Sequence, residues 1–124
     1  MTDRKKKVLI VDDEQSILRI LVIKLRISGY GVITALNGQQ ALNAVDAANP
    51  DVMLLDIIMP EMDGFQVIEQ LRTYSNLPII AFSARAEYAG RALSLGANDF
   101  LVKPFDVDDL TERIHRALSH NGSK

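Results

Sequence analysis

Cysteine is absent from the 124-residue chain. That excludes a disulfide framework, a thiolate metal centre and a cysteine nucleophile, and it suits a cytoplasmic protein. A strong excess of one charge is also lacking. The formal net charge is -2 at pH 7, so no overall field favours nucleic acid or an anionic membrane. The basic run Arg4-Lys5-Lys6-Lys7 is local and reads as a solvated lead-in to the first apolar segment. No apolar run approaches the roughly 18 residues of a membrane span. The charged start leads into an apolar segment that acids cut short, which is not the pattern of a signal peptide. Internal repeats and linkers are missing as well. What remains is one domain's worth of chain, 48% hydrophobic and 24% charged, enough to bury a single core.

Five apolar, β-rich runs punctuate it: Val8-Val11, Val32-Ala35, Val52-Leu55, Ile79-Phe82 and Phe100-Val102. Their starts fall 20 to 27 residues apart, room for one short helix between each pair. Unbroken apolar strands alternating with helical patterns predict parallel βαβ units covered on both faces. The intervening segments carry matching signals. Ile17, Ile20, Leu21, Lys24 and Leu25 follow helical spacing before Gly29. Asn37-Gly38 turns and caps a helix over Gln39-Ala48, which Asn49-Pro50 stops. A third helix is expected from about Phe65 to Tyr74, with Val67, Ile68 and Leu71 inward. Gly96 ends a fourth, and Val107, Leu110, Ile114 and Leu118 form the inward stripe of a fifth. Five strands and five helices in alternation make a doubly wound α/β sandwich. Ligands in such sheets sit beyond the carboxyl ends of the strands.

Those ends carry an unusual set of residues. Strand one ends in Asp12-Asp13-Glu14, strand three in Asp56, strand four in Ser83 and strand five in Lys103-Pro104; only strand two ends blandly, at Ala35-Leu36. Singly, each has an ordinary explanation: Asp13 or Ser83 as a helix cap, Asp56 as a loop residue, Lys103 as a snorkelling surface lysine. Together they pose an electrostatic problem. Three converging carboxylates raise one another's pKa unless something compensates. Lys103 supplies one positive charge, and a divalent cation supplies two. An all-oxygen site without histidine or cysteine suits Mg²⁺, which is commonly shared with phosphate oxygens.

The segments VLIVDDE, LLDIIMPEMDGF, AFSA, GANDF and LVKPF, in this order, resemble the response-regulator receiver domain, the phosphoacceptor half of two-component signalling. The resemblance runs from Lys7 to about Leu118, nearly the whole chain. It implies a three-layer α/β/α sandwich with strand order 2-1-3-4-5 and a single receiver domain over residues 1–124. The core would span about 7–118, with 120–124 disordered or opening a linker. By the same resemblance Asp56 takes a phosphoryl group from a histidine kinase or histidine phosphotransfer protein. Asp13 binds Mg²⁺ directly and Asp12 largely through water; Asp56 and the backbone carbonyl of Ile58 complete the protein's ligands, and Mn²⁺ substitutes. Lys103 pairs with the phosphoryl oxygens, Ser83 hydrogen-bonds one of them, Phe100 turns inward behind Ser83, and the peptide before Pro104 is cis. Glu14 keeps an ordinary role as a first-turn acid.

The resemblance further implies homodimerisation on phosphorylation and control of an output domain or partner, with no direct nucleic acid contact and no membrane. Some regulators of this kind dimerise through helix four, strand five and helix five by charged pairs, for which Asp99 and Arg113 are candidates, though Asn98 stands where an acid is common. Ser83 stands where threonine is common. Ile58 and Arg85 occupy positions that tune hydrolysis of the phosphoaspartate, and an apolar residue at 58 predicts a long-lived phosphorylated state. Only 13 residues separate Ser83 from Gly96, and Gly90 weakens the segment, so a short or irregular fourth helix is expected. Leu18 and Val22 of the first helix lie beside the inward stripe, either widening the core face or forming an apolar docking patch.

Three rivals fit less well. An aspartyl-phosphate hydrolase wants a second acid two residues after its nucleophile, where Ile58 stands. A flavin or nucleotide module wants a glycine-rich turn after strand one, where acids stand. A degenerate receiver used only as a scaffold would be missing some of the phosphorylation residues, and none is missing.

Overall fold

Burial on both faces turns the five apolar runs into strands. In the computed structural model, which describes residues 4–122, these are β1 (Lys7–Val11), β2 (Gly31–Ala35), β3 (Val52–Asp56), β4 (Ile79–Ser83) and β5 (Asp99–Val102). All pairings are parallel and the order is β2-β1-β3-β4-β5, as expected. Between them lie α1 (Gln15–Ile27), α2 (Gly38–Ala48), α3 (Gly64–Leu71), a 3₁₀ turn (Ala86–Tyr88) leading into α4 (Ala89–Leu95), and α5 (Val107–Gly122). Among the described residues no helix is long and apolar enough to cross a membrane.

Alternation along the strands sorts the core into two halves. Val8, Ile10, Val52, Leu54, Ile80, Phe82 and Leu101 face Leu18, Leu21 and Leu25 of α1 and Leu110 and Ile114 of α5. The residues between them on the strands, such as Leu9, Met53, Leu55 and Ala81, face α2, α3 and Ala92 of α4. The sheet is thus the middle layer of three.

Several boundaries differ from expectation, each for a local reason. Every strand but β3 and β4 begins one residue early, and those two end one residue late, so that Asp56 and Ser83 belong to strands. Asp56 pairs in register with Phe82, and Ser83 with Val102. Helix α3 stops at Leu71, short of Tyr74, because Thr73 and Tyr74 turn back by N–H bonds to the carbonyls of Gln70 and Leu71. The α1 stripe is rotated from the expected one. Leu18, Leu21 and Leu25 are buried, whereas Ile20 points outward with Ile23 and Ile27. Steps of three and four residues from Leu18 keep one face inward, and Ile20 lies well off that face. Helix α5 continues to Gly122, past the start expected for a disordered tail; residues 123 and 124 lie outside the described residues. The fourth helix is short, seven residues after a 3₁₀ turn, as the spacing predicted.

A guanidinium fixes the loops that lead into β4 and β5. Arg72 donates to the carbonyls of Gly96 (3.0 Å), Ser75 (3.0 Å) and Leu77 (2.7 Å) and to Asn98 Oδ1 (3.1 Å). Asn98 Oδ1 also accepts from the Ile79 amide at 2.8 Å. Gly96 is left-handed, φ 122, and a Cβ there would lie 2.9 Å from Arg72 Cγ. The planar fork matches these acceptors in a way an ammonium cannot. Arg72→Lys is expected to lose about 1 kcal/mol of stability, read as a lower urea midpoint at unchanged slope.

Candidate functional site

The even-numbered face of β1 and β3 continues past the core into two carboxylates. Asp12 follows Val8 and Ile10, and Asp56 follows Val52 and Leu54, so both lie on the α1/α5 side of the sheet at its carboxyl edge. Oxygens of Asp12, Asp13 and Asp56 lie within 4.8 Å of one another. Asp12 and Asp56 are buried and Asp13 is exposed. Lys103 reaches in from the end of β5, its Nζ 3.4 Å from Asp12 Oδ2 and 3.6 Å from Asp56 Oδ2. The peptide between Lys103 and Pro104 is cis. The four charged residues singled out in the sequence therefore meet at one point.

Each carboxylate has backbone support. Asp12 Oδ1 accepts from the Glu14 amide at 2.9 Å, and Asp56 Oδ1 from the Ile58 amide at 3.3 Å. Glu14 itself sits at the N-cap of α1 without a side-chain capping bond, so neither it nor Asp13 caps that helix. Burial is the main force on Asp56, pushing its carboxyl pKa up to about 7. The Asp12 charge adds to the rise, Lys103 and the Ile58 amide oppose it, and Asp13 raises it a little further. A buried carboxylate with two acidic neighbours is short of positive charge. The donor set is oxygen only, which suits a hard divalent cation.

The loop after β3 is tightly built. Ile57 and Met59 are buried while Ile58 is half exposed. Glu61 is left-handed, φ 69. Asp63 and Gln66 then form a reciprocal capping box at the start of α3. The Gly64 amide donates to the Ile57 carbonyl at 2.8 Å, drawing α3 against the back of Asp56.

Ser83 and Phe100 lie on the opposite face from the acids. Ser83 follows Ile79 and Ala81 in the alternation and is buried; Phe100 pairs with Ala81 and packs partly buried on the α2/α3/α4 side. The Ser83 hydroxyl accepts from the Arg85 amide at 3.1 Å, and the Ser83 carbonyl accepts from the Lys103 amide at 2.9 Å. Backbone thus ties the hydroxyl strand to the lysine strand.

Two features of this region escaped the sequence reading. Phe82, fully buried, places its ring 5.0 Å from Lys103 Nζ and 5.6 Å from the Phe105 ring. A largely apolar groove of about 430 Å³ is lined by Ile17, Ile20, Leu21, Ala84, Pro104 and Phe105 together with Lys103. Of the two readings of Leu18 and Val22 the structure favours the core: Leu18 is buried, Val22 packs partly buried against the same cluster, and the outward apolar residues are Ile20, Ile23 and Ile27. Asp99 and Arg113, candidates for an intermolecular pair, are joined within the chain at 2.7 Å; Arg113 also meets Asp109 at 3.2 Å.

Comparison with known proteins places this geometry. The model of the response regulator receiver domain matches residues 8–115. "Probable transcriptional regulator ycf27" of Guillardia theta is 47% identical over 94% of this chain and 46% of its own length. The transcriptional regulatory protein KdpE of Mycobacterium tuberculosis is 42% identical over 92% of this chain and 51% of its own. The chain therefore spans about half the length of the curated relatives it matches. Among solved structures, chemotaxis protein CheY4 of Vibrio cholerae superposes with a TM-score of 0.86 at 34% identity, covering 93% of this chain and all of that one. Response regulator TrrA of Thermotoga maritima, in complex with Mg²⁺ and BeF, does so at 0.84 and 35%, covering 91% and 99%. Strand order, acidic cluster and matched residues agree: the chain belongs to the response regulator receiver domain family.

Proposed function

We propose that residues 1–124 form one receiver domain whose phosphoacceptor is Asp56. The observation that carries this reading is the convergence of Asp12, Asp13 and Asp56 within 4.8 Å, with Lys103 reaching between two of them. A carboxylate oxygen of Asp56 attacks the phosphorus of a phosphohistidine on a histidine kinase or phosphotransfer protein. The nitrogen–phosphorus bond breaks and its electron pair leaves with the imidazole. Asp13, Asp56 and the Ile58 carbonyl would hold Mg²⁺, with Asp12 acting largely through water and Mn²⁺ as a substitute. When bound, the ion neutralises charge on the phosphoryl oxygens, as such transfers require. The Mg²⁺ and BeF held by TrrA support this chemistry.

Lys103 pairs with the phosphoryl oxygens, and Ser83 donates to one of them. Phe100 follows Ser83 inward, carrying the change to the α4 side of the sheet. The domain turns over no external substrate beyond its own phosphorylation and dephosphorylation. The half-exposed Ile58 side chain offers no polar group to orient an attacking water, which favours a slow reversal. It works in the cytoplasm on an output domain or partner, contacting no nucleic acid itself and pairing with a second copy once phosphorylated. The outward isoleucines of α1 suit the histidine-bearing partner.

Intact mass after incubation with Mg²⁺ and acetyl phosphate tests this. The expected result is a gain of one phosphoryl group, absent in Asp56→Asn and after chelation, and persisting when the donor is removed. A gain retained in Asp56→Asn would overturn the assignment.

A further inference from the structure

We infer that Phe82 is a positioning residue for Lys103, its aromatic ring holding the ammonium at the carboxylate cluster. The inference rests on the role proposed for Lys103. A lysine carries its charge on a flexible four-carbon stem, so an active geometry needs something to define where that charge sits. Two of its neighbours, Asp12 at 3.4 Å and Asp56 at 3.6 Å, are the groups whose charge changes in the proposed cycle. Metal binding draws on both carboxylates, and esterification of Asp56 removes its charge. Neither is a constant anchor.

The Phe82 ring is one. It lies 5.0 Å from Lys103 Nζ, within the range of a cation–π attraction. Phe82 is fully buried in the α1/α5 half of the core. Its residue pairs with Asp56 on one side and Leu101 on the other, and its carbonyl accepts from the Ile57 amide at 3.0 Å. The Phe105 ring, tilted by 58° at 5.6 Å, backs it from the side of the groove. The lysine stem is mostly covered, with 19% of its side chain exposed, so little water competes for the ammonium. The negative face of the ring is unchanged by metal, phosphoryl group or partner. An aliphatic residue would fill the same core volume without offering that face.

The test separates ring electronics from packing. A ring-trifluorinated phenylalanine at position 82 keeps the shape while depleting the π face; Phe82→Leu removes the ring. In the metal-free protein, the Lys103 methylene protons next to Nζ are expected upfield in the native chain, from the ring current, and near their ordinary position in Phe82→Leu. With Mg²⁺, beryllofluoride binding is expected to weaken about three- to tenfold in the fluorinated protein at an unchanged unfolding midpoint. In a Lys103→Met background the same fluorination should have no effect. Unperturbed methylene shifts in the native chain, or undiminished binding on fluorination, would overturn the positioning role while leaving Lys103 in place. Undiminished binding in Lys103→Met alone would overturn the role of Lys103, and the inference with it.

Discussion

Gly64→Ala is expected to unfold at a markedly lower urea concentration than the parent chain, losing about 3 kcal/mol. A Cβ at this position would lie 2.6 Å from the Ile57 Cα, 2.7 Å from the Asp56 carbonyl oxygen and 2.8 Å from Ile57 Cδ1. Two of these three are backbone atoms and cannot rotate aside. Relief requires moving α3 away or displacing the strand end that carries Asp56, and the 2.8 Å bond from the Gly64 amide to Ile57 resists both. The variant should therefore also be labelled more slowly by acetyl phosphate. Gly38 provides the contrast. A Cβ there meets Met62 Sδ at 2.7 Å and Val67 Cγ2 at 2.9 Å, both side-chain atoms, and the methionine is flexible. Gly38→Ala should cost clearly less. Equal midpoints for Gly64→Ala and the parent would show that the loop yields freely.

Asp56→Asn should make the metal-free domain more stable at pH 8, by about 2 kcal/mol once residual solvent screening is allowed for. Burial and the neighbouring acids raise the Asp56 pKa from 3.8 to about 7 in the folded protein. Between those values the native state keeps a proton that the unfolded chain has released. Stability from this group is then fully present below about pH 4 and is lost as pH rises through about 7. The substitution removes the titrating group, so the variant's denaturation midpoint should lack this component of the slope across that window. Added Mg²⁺ should narrow the gap at pH 8, because the ion stabilises the ionised parent far more than the amide. A variant less stable than the parent at pH 8 would mean that the Lys103 pairing outweighs burial and repulsion.

How much of this was legible in advance depends on what each residue answers to. The parallel sheet and the meeting of Asp12, Asp13, Asp56 and Lys103 followed from the strand runs and the rule that ends of parallel strands share one edge, whereas the strand order came from the resemblance to receiver domains. Ile20 was misplaced because eight of the thirteen α1 residues are apolar and spread around the helix, which leaves the inward face underdetermined; α1 buries Leu18 and exposes Ile20, and the sequence makes both look alike. Arg72 gave no signal since three of its four partners are backbone carbonyls, which every residue carries. Phe82 was hidden by its surroundings. A buried strand is apolar whatever its side chains do, and the approach of Lys103 to its ring joins residues that nothing in local periodicity relates. Asp99 and Arg113, partly buried, looked like spare charges for the same reason, until the fold brought them together.

Alternation along β4 sends Phe82 to the α1/α5 side and Ser83 to the α2/α3/α4 side, so two adjacent residues stand on opposite sides of the sheet. Under the proposed assignment the domain listens on one side of a wall and speaks on the other. Changes to the outward isoleucines of α1 alter who is heard, and changes around α4 alter who is addressed. The two vocabularies meet at one peptide bond, between a residue that steadies the lysine and one that responds to the phosphate. A descendant of this chain has room to exchange its sender while keeping its audience.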